Sequence, residues 1–327
     1  MKSLGAALRN HEGAAVIGRR VLGGVVILIL ALFLLRGCSD AQTPDTSESA
    51  PAETTSETTE EQVQLTVRIA APVGMQGLLE ELASAYAADK DWLSFDFSYY
   101  NSVKKENSAL KPDKADDATT TTDENEDVVL PKAEIVFQSS LKGMDAAEEA
   151  DLVNPTTRSD MLQDSLVIVA SSKSKLTAAT TANIEAGTSP LCVVDGKGVH
   201  AKRQFEALKN IGVYADGEFA GVYAKDDDKL VHCKSTAALF GMLETNSKLV
   251  AIVRTSDVYR YGGVKVLGSI PSDYYEAMWF PCALAQNISA EENGADLEAT
   301  ARDFLSWIQT DADAAGIVEK WGFHFAA

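Results

Sequence analysis

VAIVRTSD, residues 250–257, decides how the rest of the chain is read. Its first four residues are apolar and three of them, Val250, Ile252 and Val253, are β-branched, the composition of a strand buried on both faces as in parallel sheets. Arg254 follows at once. A guanidinium keeps its charge and is seldom buried without a partner, so an arginine at the carboxyl end of such a strand calls for an anion. Working outward, TAALFGMLETN (236–246) has helical spacing, KLVHC (229–233) before it reads as a strand, and VKVLGSI (264–270) beyond it as another. The same alternation runs back to the start of the folded region. QLTVRIAA (64–71), WLSFDFSYY (92–100), AEIVFQSS (133–140), SLVIVASS (165–172) and PLCVVDG (190–196) read as strands, separated by helical LLEELASAYAADK (78–90), MDAAEEADL (144–152) and AKRQFEALKNIG (201–212). After the apolar MWFPCALAQ (278–286) come helical ATARDFLSWIQ (299–309) and AGIVEKWGF (315–323). Strands and helices in turn predict an α/β fold with mixed, mostly parallel sheets, in which ligands sit at the carboxyl ends of strands near topological switch points.

The chain has 327 residues and a net charge of −19, unevenly placed. Residues 1–38 hold five basic side chains (Lys2, Arg9, Arg19, Arg20, Arg36) against Glu12, which leaves 24 basic and 47 acidic groups, a net of −23, on the remainder. Such a surface repels nucleic acid and anionic lipid, so neither is an expected partner, while a local anion site built from dipoles stays open. The length suits two lobes.

The amino terminus reads as an address. Arg19 and Arg20 precede VLGGVVILILALFLL (21–35), 15 apolar residues, short for a spanning helix but right for the apolar region of a secretion signal. Leu35-Arg36-Gly37-Cys38 after it resembles a bacterial lipobox, with Arg36 unusual at the variable position, and implies that Cys38 is lipidated and becomes the first mature residue. An uncleaved signal anchor is the competing reading, and either way the rest is tethered outside. Residues 39–62, opening SDAQTPDTSESAPAETTSETTEE, have no aliphatic side chain larger than alanine and predict an extended, self-repelling stalk. KPDKADDATTTTDENED (111–127) predicts a disordered acidic excursion within the folded region.

AEIVFQSSLKGMDAAEEADLVNPTTRSDMLQDSLVIVASSKS (133–174) resembles the stretch of periplasmic molybdate-binding proteins from a strand through a Met-Asp helix to the first crossover strand. The resemblance continues through VRIAAPVGM (67–75), LCVVDGKGVHAKRQFEALKNIG (191–212), CKSTAALFGMLETNSKLVAIVRTSDV (233–258), FPCALA (280–285) and IVEKWGF (317–323). It implies a type II periplasmic-binding-protein fold with a ligand cleft between lobes, residues 63–163 plus 285–327 forming lobe one and residues 164–284 lobe two. The implied function is that of an extracytoplasmic, membrane-anchored lipoprotein, monomeric and non-enzymatic, which hands a small oxyanion such as molybdate or tungstate to an ABC permease.

The family holds its oxyanion with serine hydroxyls, backbone N–H groups at helix starts and a tyrosine, without salt bridges, which is what unpaired amides and the helix dipole favour. The resemblance implies a ligand role for Gly74 and Met75, where Gly74 stands in place of a family serine. It implies the same for Tyr100, Asn101 and Ser102 around a second serine, although Asn101 or Ser102 also serves as an ordinary helix cap. His200 lies in the family's Val-Pro-Ala-Gly loop, Ser235 and Thr236 open a helix that donates a backbone N–H, and Arg254 stands where the family has a ligand tyrosine. Arg254 is expected to point into the cleft and pair with the ligand or with Asp257, making the pocket roomier and more cationic. A bidentate guanidinium suits a carboxylate or phosphate equally well, so an organic or phosphate-type anion is an alternative ligand. A tethered sensor or adhesion domain without transport is an alternative of a different class.

Cys192, Cys233 and Cys282 permit one disulfide and one free thiol, but their spacing assigns no pair, and their apolar flanks suit buried core cysteines. His232-Cys233 has no companion at metal spacing, so neither a metal nor a cofactor is expected. No nucleophile with a base at motif spacing points to catalysis.

Overall fold

The computed structural model describes residues 63–111, 132–196 and 198–326. The expected signal segment, Cys38, the stalk and nearly all of the acidic excursion lie outside them. The chain opens with β1 (Leu65–Pro72), a 3-10 turn Val73–Met75, α1 (Gln76–Tyr86), β2 (Leu93–Tyr100), α2 (Val103–Leu110), β3 (Ile135–Phe137), α3 (Leu141–Glu148) and β4 (Ser159–Asp164). It continues through β5 (Leu166–Ser171), α4 (Thr181–Glu185), β6 (Leu191–Val194), α5 (Val199–Ile211) and a small hairpin of β7 (Tyr214–Ala215) and β8 (Glu218–Phe219). Next come β9 (Leu230–Cys233), α6 (Thr236–Thr245), β10 (Val250–Arg254), α7 (Thr255–Tyr261) and β11 (Val264–Ser269). The last elements are β12 (Met278–Leu284), α8 (Gly294–Thr310), α9 (Ala312–Lys320) and β13 (Phe323–Phe325).

These strands make a six-stranded sheet, ordered β13-β4-β12-β3-β1-β2, and a five-stranded sheet, ordered β11-β5-β10-β6-β9. Both are mixed. β1 runs parallel to β2 and β3, and β6 parallel to β10 and β9, whereas β12–β3, β12–β4, β13–β4, β10–β5 and β11–β5 are antiparallel. Parallel pairs are thus the smaller share, against the expected majority. The reason is that two chain crossings between the sheets insert strands that run against the βαβ units.

The first crossing is Ser165, between β4 and β5. The second lies between Ser269 and Met278, because β12 pairs with β3 and β4 in the six-stranded sheet. Met278–Leu284 therefore belongs to the six-stranded sheet, whereas the expected break after Leu284 groups it with the strands of the five-stranded sheet. Its burial is almost continuous, so it carries no alternation that assigns it to either sheet.

Residue patterning explains the layers. In β2 the odd residues Phe95, Phe97 and Tyr99 stack along one face, with ring centroids 6.4 and 5.7 Å apart, and Phe304 of α8 meets Phe95 at 4.8 Å. β2 is an edge strand, which its period-two pattern suits. β10 is the opposite case: Val250, Ala251, Ile252 and Val253 are all buried, between β5 and β6. At Gly77 a Cβ would fall 2.1 Å from the Trp321 ring, so only glycine lets that indole lie on the start of α1. Trp321 Nε1 then donates to Glu81 at 2.9 Å, tying the carboxyl-terminal IVEKWGF segment to α1. Among the described residues no helix is long and apolar enough to cross a membrane.

Candidate ligand site

Because β1, β2 and β3 run parallel, their carboxyl ends share one edge of the six-stranded sheet, and each opens into a helix. β1 leads through Gly74 and Met75 into α1; Pro72 pairs in register with Tyr100 at the end of β2, where Asn101 and Ser102 follow; β3 leads through Gln138, Ser139 and Ser140 into α3. Met75 is fully buried in the core, so only its main chain can face a ligand. Tyr100 is half-buried and packs on the cluster around Ala70 and Val136. Asn101 and Ser102 are exposed, and the Ser102 hydroxyl accepts the Lys105 amide at 3.4 Å as the cap of α2. The Ser140 hydroxyl likewise accepts the Gly143 amide at 3.1 Å. The sequence carries no separate signal for this third turn, because QSS reads as the tail of the strand AEIVFQSS.

The five-stranded sheet repeats the arrangement. β6, β9 and β10 are parallel, and their carboxyl ends lead to His200, to Ser235 and Thr236, and to Arg254. Ser235 caps α6 by accepting the Ala238 amide at 3.2 Å; it is exposed and Thr236 half-buried. Gly198 precedes α5 without a side-chain cap, so the first-turn amides of α5 lack that partner.

The charged residues of this edge gather around one carboxylate. Arg254 donates to Asp257 through Nε and Nη2, both at 2.9 Å, and His200 Nδ1 lies 3.1 Å from Asp257 Oδ2. Asp257 is 1% exposed. Burial would raise its pKa, but the Arg254 guanidinium and the His200 contact outweigh it and hold the carboxyl well below the usual range. Burial likewise disfavours the Arg254 charge, yet Asp257 and Asp164 keep its pKa above the ordinary value. Asp164, at the first crossing, accepts the Ser256 hydroxyl at 2.5 Å and the Ser165 amide at 2.8 Å. Its pKa is pushed up to about 6, by burial first and by Asp257, with Arg254 and Ser256 opposing.

Arg254 thus has the Asp257 partner allowed for in the sequence, and that carboxylate balances its charge. The two-pronged face of the fork is spent on a buried carboxylate. Of arginine's five N–H donors, those on Nη1 point elsewhere, and a Cβ at Gly74 would stand 3.7 Å from Nη1 and 3.6 Å from Nη2. The turn after β1 therefore meets the end of β10: Gly74 lies against the Arg254 guanidinium, which shares Asp257 with His200. His200 is 8% exposed and its Nε2 is buried without a hydrogen-bond partner. Asn101, Ser102 and Ser235 stand at exposed helix starts on the same two edges. Gly74 also borders an open recess of about 220 Å3 with Glu80, Arg260 and Trp321 in its wall, which His200 and Arg254 do not line.

Comparison with known proteins fits this architecture. The family model described as bacterial extracellular solute-binding protein matches residues 67–324. The molybdate-binding protein ModA of Escherichia coli (strain K12) is 24% identical over 206 residues, 58% of this chain and 70% of that protein. The substrate binding domain of a putative molybdenum ABC transporter from Clostridium difficile superposes with a TM-score of 0.60 at 15% identity, over 80% of this chain and 99% of that one. The periplasmic molybdate-binding protein of Azotobacter vinelandii gives 0.53 at 14% identity, over 80% and 100%. At these identities the solved structures speak to the fold alone, and it is the expected type II periplasmic-binding-protein fold.

Proposed function

Given that this chain belongs to the bacterial extracellular solute-binding protein family, a family of binding proteins for transport and not of enzymes, we propose that it captures a small tetrahedral oxyanion of the molybdate and tungstate kind between its two sheet edges. The observation that carries this reading is the meeting of Gly74 with a charge-compensated Arg254. Around that contact lie helix starts whose amides are suited to an anion. The hydroxyls of Ser102, Ser140 and Ser235, at helix starts on the same two sheet edges, would add neutral donors. Nη1 of Arg254 adds a donor with its charge already balanced, so the site keeps the family's manner of holding an anion by dipoles despite glycine for serine and arginine for tyrosine. Occupation of the fork by Asp257 weighs against an organic or phosphate-type anion, whose fit rested on a free bidentate guanidinium.

In this reading the crossings at Ser165 and between Ser269 and Met278 are hinges, and lobe closure removes the anion from water before delivery to an ABC permease. Lipidation of Cys38 would hold a monomer at the outer face of the cell membrane. The test is thermal unfolding with molybdate, tungstate, sulfate, phosphate and small carboxylates. A ligand at about 1,000 times its dissociation constant adds roughly 4 kcal/mol. Stabilisation by molybdate and tungstate, reduced in Arg254→Met and in Gly74→Val, is expected. A response to carboxylates alone would overturn the ligand assignment, and no response to any anion would favour the sensor or adhesion alternative.

A further inference from the structure

Cys192 and Cys233 stand on neighbouring parallel strands with Sγ atoms 3.3 Å apart. The register pairs Cys192 with Val231 and Val194 with Cys233, so both side chains project from the same face of the sheet, into the cluster with Val169, Leu239 and Val253. Both are buried, and Cys282 lies in the other sheet, between β3 and β4. We propose that Cys192 and Cys233 are a disulfide pair, closed when the chain folds outside the cytoplasm, and that the bond fastens together the roots of two turns on the ligand edge.

The spacing supports this directly. A bond of about 2.05 Å needs the sulfurs to approach by little more than an ångström, and both side chains already stand on one face of the sheet. The partner residues of the same strands are already joined: the Asp195 amide donates to the Cys233 carbonyl at 2.8 Å, and His232 Nδ1 lies 2.8 Å from Asp195 Oδ1. β6 leads from Cys192 to the uncapped start of α5 and His200; β9 leads from Cys233 to Ser235 and α6. A cross-link here would fix the separation of those two turns whether or not an oxyanion is the ligand.

The chemistry is thiol–disulfide exchange with a small-molecule or protein disulfide as oxidant. One cysteine, as thiolate, attacks the oxidant's S–S bond and releases one thiolate; the second attacks the mixed disulfide and releases the other. Two protein thiols and one oxidant disulfide become one protein disulfide and two oxidant thiols. Burial raises the Cys192 thiol, which disfavours its thiolate inside the folded sheet and places the exchange during folding.

The experiment refolds the reduced full chain in mixtures of oxidised and reduced glutathione, traps free thiols with iodoacetamide and maps tryptic peptides. Trypsin separates the four cysteines, because Cys38 falls in residues 37–68, Cys192 in 176–197, Cys233 in 230–234 and Cys282 in 266–302. The expected result is a 176–197 to 230–234 cross-link, lighter than the two reduced peptides by two hydrogens, with Cys282 alkylated. The oxidised wild type and Cys282→Ser should both melt higher than their reduced forms, and Cys192→Ser should show no such difference. Alkylation of both Cys192 and Cys233 under oxidising refolding, or cross-links to Cys282 instead, would overturn the proposal.

Discussion

Glu106 and Asp257 are equally buried, each 1% exposed, yet their acidities move in opposite directions. Glu106 lies on α2, behind the edge of the six-stranded sheet, and its Oε1 has no hydrogen-bond partner; burial alone pushes its pKa from 4.5 to about 8. Asp257, behind the edge of the five-stranded sheet, has Arg254 and His200 against it and is held below the usual carboxylate range despite burial. Asp164 lies between these extremes at about 6, with Arg254 and Ser256 only partly offsetting burial. Burial thus sets the cost and partners decide the sign. Behind one edge of the candidate site lies a carboxyl that burial without a partner keeps protonated; behind the other, opposite charges balance one another.

Removing the compensation should have the largest effect. Asp257→Asn leaves a buried guanidinium without its main countercharge and should cost about 3–5 kcal/mol in urea unfolding at neutral pH. A cost below about 1 kcal/mol would break the contrast between the edges. The pH profile sharpens it: the Asp257 contribution is present above its unfolded pKa and is lost as pH falls through the folded one, so the variant should lose acid sensitivity there.

Glu106 should behave the other way. Its folded pKa is raised, so its contribution is complete below about 4.5 and is lost as pH climbs to about 8. Glu106→Gln should therefore be about 3 kcal/mol more stable than the wild type at pH 7 and should flatten that stretch of the stability profile. An unchanged profile would mean that Glu106 has a partner in solution. Gly77→Ala, which drives a methyl group into the Trp321 ring, should cost about 1–3 kcal/mol and is read by the same unfolding curve. Smallest are Ser102→Ala and Ser235→Ala, each about 1 kcal/mol as lost caps. Calorimetric titration with molybdate then separates capping from binding: a further tenfold loss of affinity marks a hydroxyl that touches the anion, and unchanged affinity marks a cap alone.

Much of this was legible in the chain. The buried run at 250–253, the alternation around it and the resemblance gave the α/β fold, and Arg254 with Asp257 three residues on was visible as a possible pair. What escaped depends on long-range pairing. SDMLQD is too polar to read as a strand, yet β4 is held between β12 and β13. MWFPCALAQ is apolar throughout and cannot declare its sheet. Asp164 looks like any surface acid until the crossing buries it close enough to act on the Arg254 charge. The neighbours Cys192 and Cys233 are 41 residues apart in sequence and meet only through strand register.

The most direct test of the site is diffraction from crystals grown with molybdate, using the anomalous signal of molybdenum to locate the anion. The account predicts one strong peak between the turn after β1 and the end of β10, within hydrogen-bonding reach of the Gly74 region and Nη1 of Arg254, with Arg254 still paired to Asp257. A peak elsewhere, or an anion that draws Arg254 away from Asp257 into a bidentate contact, would contradict it.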